Sequence, residues 1–290
     1  MPGRLIIVVG PTAVGKTDYS IGLARHYGSP IISCDSRQIY KEMTIGTAVP
    51  DSSQLASVRH YFIQTKTVNE LYTAGQYELE ALDLIGKLFN EGHDTLVMSG
   101  GSGFYVEAVC NGLDNIPPAD ADLRAELTQR VEAEGIEALR IELHRLDPEA
   151  YSQIDLMNPQ RVVRALEVCI LSGRKFSSYK LRSPKKRDFI IEKICMTRPR
   201  EELYARIDKR VLAMIEAGLV DEVRSLVEYR NLTALQTVGY KEIFEYIDDR
   251  SSLEEAISKI QTNTRRYAKK QMTWWRRDKD VRFMEMSPDL

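Results

Sequence analysis

The chain has 290 residues, 43% of them hydrophobic, enough apolar material for one or two domains with a sizeable core. Its 40 Lys and Arg oppose 42 Asp and Glu, and the formal net charge of −2 excludes a general polycation, so nucleic-acid contacts would have to come from local basic patches. The four cysteines (Cys34, Cys110, Cys169, Cys195) form no C-x-x-C pair and the four histidines are scattered, which argues against a disulfide framework or a zinc site.

Leu5 to Val9 is an unbroken apolar run that predicts a buried strand of a parallel sheet. It is too short for a signal peptide or a membrane span, and no long apolar segment follows, so a cytoplasmic protein with no membrane partner is expected. A glycine-containing loop comes next, then Thr17 to Tyr27 with helical composition, and Ile31 to Cys34 reads as a second strand ending at Asp35. Residues 75–91 have the spacing of an amphipathic helix, and Thr95 to Met98 predicts a third buried strand followed by Gly100, Gly101 and Gly103. Strands alternating with helices imply an α/β fold with a parallel sheet.

The pattern changes after Gly112. Pro117-Pro118 marks a break, and residues 119–175 are helical in composition with no strand-like run. Arg174 to Arg187 holds seven Lys or Arg and no acid; Phe189 to Met196 then restores a strand, and three helical stretches run to about residue 277. The expected organisation is a core of residues 1–114 and 188–290 interrupted by a helical insertion over 115–187.

Gly10-Pro11-Thr12-Ala13-Val14-Gly15-Lys16-Thr17 fits the phosphate-binding pattern G-x-x-x-x-G-K-[ST] and lies between a predicted strand and a predicted helix, as that pattern requires. Backbone N–H groups and the helix N-terminus suit phosphate oxygens, Lys16 adds a point charge, and the Thr17 hydroxyl is placed to ligate Mg²⁺. The fold class is therefore a P-loop NTPase-like parallel sheet flanked by helices, with an inserted all-helical domain. A nucleotide hydrolase also needs a strand-end Asp for its metal. Here the third strand runs into Ser99-Gly100-Gly101, and the nearby strand-end acid is Asp35. Asp35 reads either as a general base for an acceptor nucleophile or as a helix N-cap. Ser102 reads either as a hydrogen-bonding group at a reacting centre or as a plain cap.

Six segments in order, GPTAVGKT, CDSRQIY with IGTA close behind, GGSGFY, NPQRVVRALE, TVGYKE and RRYAKKQMTWWRR, resemble the tRNA dimethylallyltransferases over residues 5–277. The resemblance implies transfer of a five-carbon prenyl group from dimethylallyl diphosphate to the exocyclic N6 of the adenosine just 3′ of the anticodon. It implies that Thr12 to Thr17 hold the donor diphosphate rather than ATP, which accounts for the missing metal-binding Asp. Asp35 corresponds to the general base, and Arg210, with Arg206, to an arginine that binds the diphosphate. Asp35, Ser36, Arg37 and Gln38 correspond to residues beside the target base. Ser102 stands where many members have Thr, which keeps the hydroxyl. Arg124, the segment Gln160, Arg161, Val162, Val163 and Arg164, and the segment Gln236, Thr237, Val238, Gly239, Tyr240 and Lys241 correspond to further contacts with the tRNA anticodon stem-loop. A C-terminal zinc finger of the eukaryotic kind is not seen, so a bacterial type is expected; Mg²⁺ as cofactor and a monomer are expected as well.

The basic patches suit such a partner: residues 261–282 add eight Lys or Arg. Trp274 and Trp275, interleaved with them, read as core before they read as a stacking platform. Two other enzyme readings share parts of the pattern. A nucleoside or nucleotide kinase would use the phosphate loop and Asp35 but needs an arginine-bearing lid. A prenyltransferase acting on free adenylate would leave the basic surfaces unused. A non-enzymatic RNA-binding NTPase switch would need the strand-end Asp.

Overall fold

The computed structural model describes residues 2–113, 116–179 and 185–286. The chain packs as two compact units, one joining the first 110 residues to those from Lys186 onward, the other running Asn111–Lys185.

The larger unit opens with β1 (Arg4–Val9), α1 (Lys16–Tyr27), β2 (Ile31–Ser33), the short α2 (Ser52–Ser57), β3 (His60–Tyr61), α3 (Ala74–Asn90), β4 (Thr95–Ser99) and α4 (Gly103–Asn111). The smaller unit holds α5 (Ala121–Glu134), α6 (Ile136–Leu146), α7 (Pro148–Gln153), α8 (Pro159–Ser172) and a 3-10 turn at Phe176–Tyr179. The chain then returns through β5 (Ile190–Thr197), α9 (Arg200–Glu216), α10 (Leu219–Arg224), α11 (Tyr240–Ile247), α12 (Leu253–Trp275) and β6 (Val281–Glu285).

Six parallel strands form one sheet in the order β3-β2-β4-β1-β5-β6. β1 is central: Arg4 is in register with Thr95 on one side and Ile190 on the other. Its alternating side chains feed two cores. Leu5, Ile7 and Val9 pack with Tyr77, Ala81, Ile85 and Leu88 of α3 on one face. Val8 packs with Ile21 and Ala24 of α1, Leu203 and Ile207 of α9 and Ala268 of α12 on the other. Such two-sided burial is why the strand is apolar at every position and does not alternate with polar residues. A third cluster packs Ile39, Tyr40 and Met43 against α10, α11 and the first half of α12. A parallel sheet with helices on both faces collects ligands at the carboxyl ends of its strands, which is where the phosphate loop, Asp35 and the Gly100–Gly103 loop emerge.

The edge strands β3 and β6 were not expected from the sequence. β3 is two residues long, and β6, VRFME, buries only Val281 in a burial pattern that carries no clear period. Strand β2 also stops one residue short of expectation, at Ser33, although the Cys34 N–H still donates to the Ser99 carbonyl at 2.8 Å.

In the smaller unit, Asp120, Asp147 and Asn158 cap α5, α7 and α8 by accepting from Leu123 N, Ala150 N and Gln160 N. Leu127, Leu139, Leu143, Val162 and Leu166 form its core. Of the basic stretch Arg174 to Arg187, residues 180–184 lie outside the described residues. Among the described residues no helix is long and apolar enough to cross a membrane.

Candidate active site

The phosphate loop follows β1 directly. Gly10 takes φ +145°, and a Cβ there would sit 2.6 Å from the Met196 carbonyl oxygen, so only glycine lets the chain turn this close to β5. Lys16 donates from Nζ to the Gly10 and Pro11 carbonyls at 3.1 and 2.9 Å. The outer rim of the loop is held by arginines that follow β5. Arg198 Nε donates to the Val14 carbonyl at 2.9 Å, Arg206 Nε donates to the Ala13 carbonyl at 2.8 Å, and Arg198 is itself paired with Glu202. Burial pushes Lys16 down to about 8, with the Arg210 charge adding to the shift and the Asp35 carboxylate opposing it. Burial likewise lowers Arg210, which Asp35 partly offsets and Arg206 reinforces. Half-buried Lys16 and Arg210 and exposed Arg206, grouped around the single Asp35 carboxylate, make a site suited to an anionic ligand.

Asp35 lies at the end of β2. Its Oδ1 accepts from Arg37 N at 2.9 Å and Gln38 N at 3.3 Å, the short-range turn that makes Asp common at helix and turn starts. Its Oδ2 accepts no hydrogen bond among the described residues. The two readings of Asp35 thus fall on different oxygens, one occupied by the turn and one open. Ser102, at the head of α4, accepts from Ser36 N at 2.9 Å and lies 3.0 Å from the Ser36 hydroxyl, while its own N–H donates to the Cys34 carbonyl at 3.3 Å. The loops after β2 and β4 are thereby joined.

Thr12, Gly15, Lys16, Thr17, Asp35, Ser36, Arg37, Gln38, Arg206 and Arg210 line one cleft of about 1190 Å³. Gln236, Thr237, Val238, Gly239 and Lys241 line it too. Pro11 and Val14 are buried beneath the loop. A cleft of this size exceeds the roughly 300–1,000 Å³ of a single small-molecule site.

The model of the family described as IPP transferase matches residues 38–278. The chain belongs to the IPP transferase family. It is 49% identical over 279 residues to tRNA dimethylallyltransferase 1 of Bacteroides thetaiotaomicron, covering 96% of this chain and 90% of that one. The full-length tRNA isopentenylpyrophosphate transferase from Bacillus halodurans has a similar structure, with a TM-score of 0.72, 37% identity, and coverage of 99% of this chain and 92% of that one. A eukaryotic dimethylallyltransferase acting on tRNA shares the fold at a TM-score of 0.77 and 24% identity, over 98% of this chain and 74% of that one.

The remaining expected site residues divide by exposure. Tyr240 is fully buried, and its hydroxyl donates to Glu222 Oε1 at 2.7 Å. The Glu222 carboxylate also accepts the backbone N–H groups of Thr44, Ile45 and Gly46 at 2.7–3.0 Å, and Gln38 Nε2 donates to the Thr47 and Ala48 carbonyls. Tyr240 and Gln38 therefore shape the cleft wall that carries the IGTA segment, whereas exposed Gln236 and Lys241 present polar groups to it.

Within the helical unit, Val162 and Val163 are core residues that seat α8, while Gln160 and Arg161 are exposed. Arg124 and Arg164 both pair with Glu167, a carboxylate with 0% exposure, at 2.5 and 2.8 Å; Glu167 also accepts from Asp120 N, and Arg164 donates to the Pro117 carbonyl. Arg164 is thus paired within α8, and Gln160 and Arg161 are the polar groups of this segment that face solvent. Trp275 is core, and Trp274 is 39% exposed beside Gly103.

Sequence reasoning missed Gln271 in the cleft and the buried Arg198 behind the phosphate loop. Their partners lie 259 and 184 positions away along the chain, so no local pattern announced them.

Proposed function

We propose that the protein transfers a dimethylallyl group from dimethylallyl diphosphate to N6 of the adenosine 3′-adjacent to the anticodon of tRNA, releasing diphosphate. The observation that carries this reading is the pairing, in one cleft, of a cation-rimmed phosphate loop with an Asp35 carboxylate that keeps one oxygen open. Membership of the IPP transferase family sets the kinase reading aside, and the absence of an acid at the end of β4 agrees with a loop that holds a leaving group without hydrolysing a nucleotide.

The chemistry follows from the groups present. Adenine N6 is a weak nucleophile because its lone pair is delocalised into the ring. Asp35 Oδ2 takes the N6 proton as the N–C bond forms, which keeps positive charge off the amine. The allylic C–O bond breaks and its electron pair leaves with the diphosphate. The loop N–H groups, Lys16 and Arg210 stabilise that charge, and Arg206 and Arg198 hold the loop carbonyls outward so that the N–H groups point at the anion. Mg²⁺ fits this donor set. Thr17 lines the cleft, and its hydroxyl together with substrate phosphate oxygens and water would hold Mg²⁺. When bound it supplies further neutralisation of the diphosphate.

Extruding the adenine from its stack costs a few kcal/mol, which binding of the anticodon stem-loop has to offset. Gln160 and Arg161 on α8, Gln236 and Lys241 at the cleft, and the basic face of α12 are the groups assigned to that binding, as a monomer. Incubation with Mg²⁺, labelled donor and an unmodified stem-loop is expected to yield labelled adenosine, with AMP as acceptor yielding none. Labelling of AMP but not of the stem-loop, or phosphate transfer from ATP to a nucleoside, would refute the reading.

A further inference from the structure

Gln271 stands out on α12. It falls on the helix's buried stripe with Ala268 and Trp275, yet it is polar and only 6% exposed, in a segment otherwise crowded with lysines and arginines. A buried carboxamide is costly unless its donor and acceptor are both satisfied. Here Oε1 accepts from the Thr12 N–H at 2.9 Å and Nε2 donates to the Gly101 carbonyl at 2.9 Å. Partner chemistry dictates this orientation: an N–H needs the oxygen, and a carbonyl needs the amide hydrogens.

One amide therefore ties the phosphate loop to the loop after β4. A Cβ placed on Gly101 would lie 2.5 Å from Gln271 Nε2 and 3.8 Å from Asp35 Oδ2, so the amide and the open carboxylate oxygen flank the same point. From Gly101 the linkage continues through Ser102, whose hydroxyl meets Ser36 N, to Asp35. A continuous run of hydrogen bonds and peptide bonds thus connects the loop that would hold the leaving group to the acid that would receive the proton. The Thr12 N–H is committed to this brace and is not aimed at the anion.

We propose that Gln271 is a positioning residue that sets the spacing between the phosphate loop and the Asp35–Ser102 side of the cleft; this rests on the prenyl-transfer reading above. Group transfer is sensitive to such spacing, a misplacement of about 1 Å costing roughly 10²-fold in rate. Gln271→Leu keeps bulk and loses both bonds. It is expected to lower kcat by roughly 10- to 100-fold while KM for donor and for stem-loop each changes by less than about threefold. Gln271→Glu gives a second readout. Its carboxylate can still accept from Thr12 but meets the Gly101 carbonyl with no hydrogen, whereas the protonated acid restores both bonds. The ratio of its kcat to that of the wild-type protein should therefore rise as pH falls, a trend that a packing role would not produce.

Amide hydrogen exchange of the wild-type protein tests the brace without turnover: Thr12 should be protected, and Gln271→Leu should lose that protection. The proposal is overturned if the Thr12 amide exchanges freely in the wild-type protein, or if Gln271→Leu turns over at the wild-type rate. It is overturned equally if the Gln271→Glu ratio is flat with pH. Wild-type protein that shows Thr12 protection but no prenyl transfer would instead remove the reading of the cleft, and this role with it.

Discussion

Replacing Asp35 by Asn separates the two duties of that residue. Oδ1 of the native carboxylate accepts two backbone N–H groups, from Arg37 and Gln38, while Oδ2 is open to the cleft. An asparagine keeps its oxygen on those N–H groups, since its nitrogen cannot accept from them, and so turns an NH₂ into the cleft. The turn survives and the base is lost. Removing a positioned general base typically lowers the rate 10²- to 10⁴-fold, about 2.7–5.4 kcal/mol in barrier. With both turn bonds retained, stability should change by less than about 0.5 kcal/mol. Asp35→Ala should show the same loss of turnover plus about 1 kcal/mol of stability from the missing acceptor, a fall in Tm of roughly 2–4 °C. The assay is single-turnover prenyl transfer to a stem-loop at saturating donor, with thermal melts of both variants alongside. Full turnover by a folded Asp35→Asn variant would refute the assignment of the base, and a loss of melting temperature in Asn equal to that in Ala would refute the division between the two oxygens.

Two further outcomes follow from the loops. Burial lowers Lys16 to about 8, so its charge is lost as pH rises through that value, and the charged form is expected to bind the donor more tightly. Donor Kd should rise as pH climbs through about 8, with proton uptake on binding; Lys16→Met should bind weakly and lack that rise, as calorimetry over this range would report. Gly100→Ala would place a Cβ 2.5 Å from the backbone carbon of Cys34, so the two loops must part. We expect a loss of about 1–3 kcal/mol together with reduced kcat. Gly86→Ala on the open face of α3 should gain about 0.5–1 kcal/mol in the same melts.

The central strands and the phosphate loop were readable because their causes are local. An apolar run from Leu5 to Val9 buried on both faces, and a glycine pattern ending in Lys16-Thr17, each encode their structure within a dozen residues. Asp35 was readable for the same reason, since it ends a strand. What was hidden depends on distant partners. Arg198 and Gln271 look like ordinary helix-region polar residues until β5 and α12 bring them to the phosphate loop. For Gln271 the available signal was an uncharged amide on the apolar stripe of Ala268 and Trp275. The edge strand β6 escaped because only Val281 of its five residues is buried, which leaves no alternation to read. Of the arginines in the helical unit, Arg164 lies three positions from Glu167, within a local reading, whereas Arg124 lies 43 positions from that acid.

The most direct measurement is the structure of the protein bound to an unreactive donor analogue and an anticodon stem-loop. The account predicts the diphosphate within the Thr12 to Thr17 loop and Asp35 Oδ2 at hydrogen-bond distance, about 2.6–3.2 Å, from N6 of an extruded adenine. A diphosphate seated elsewhere, or an Asp35 carboxylate directed away from that amine, would contradict it.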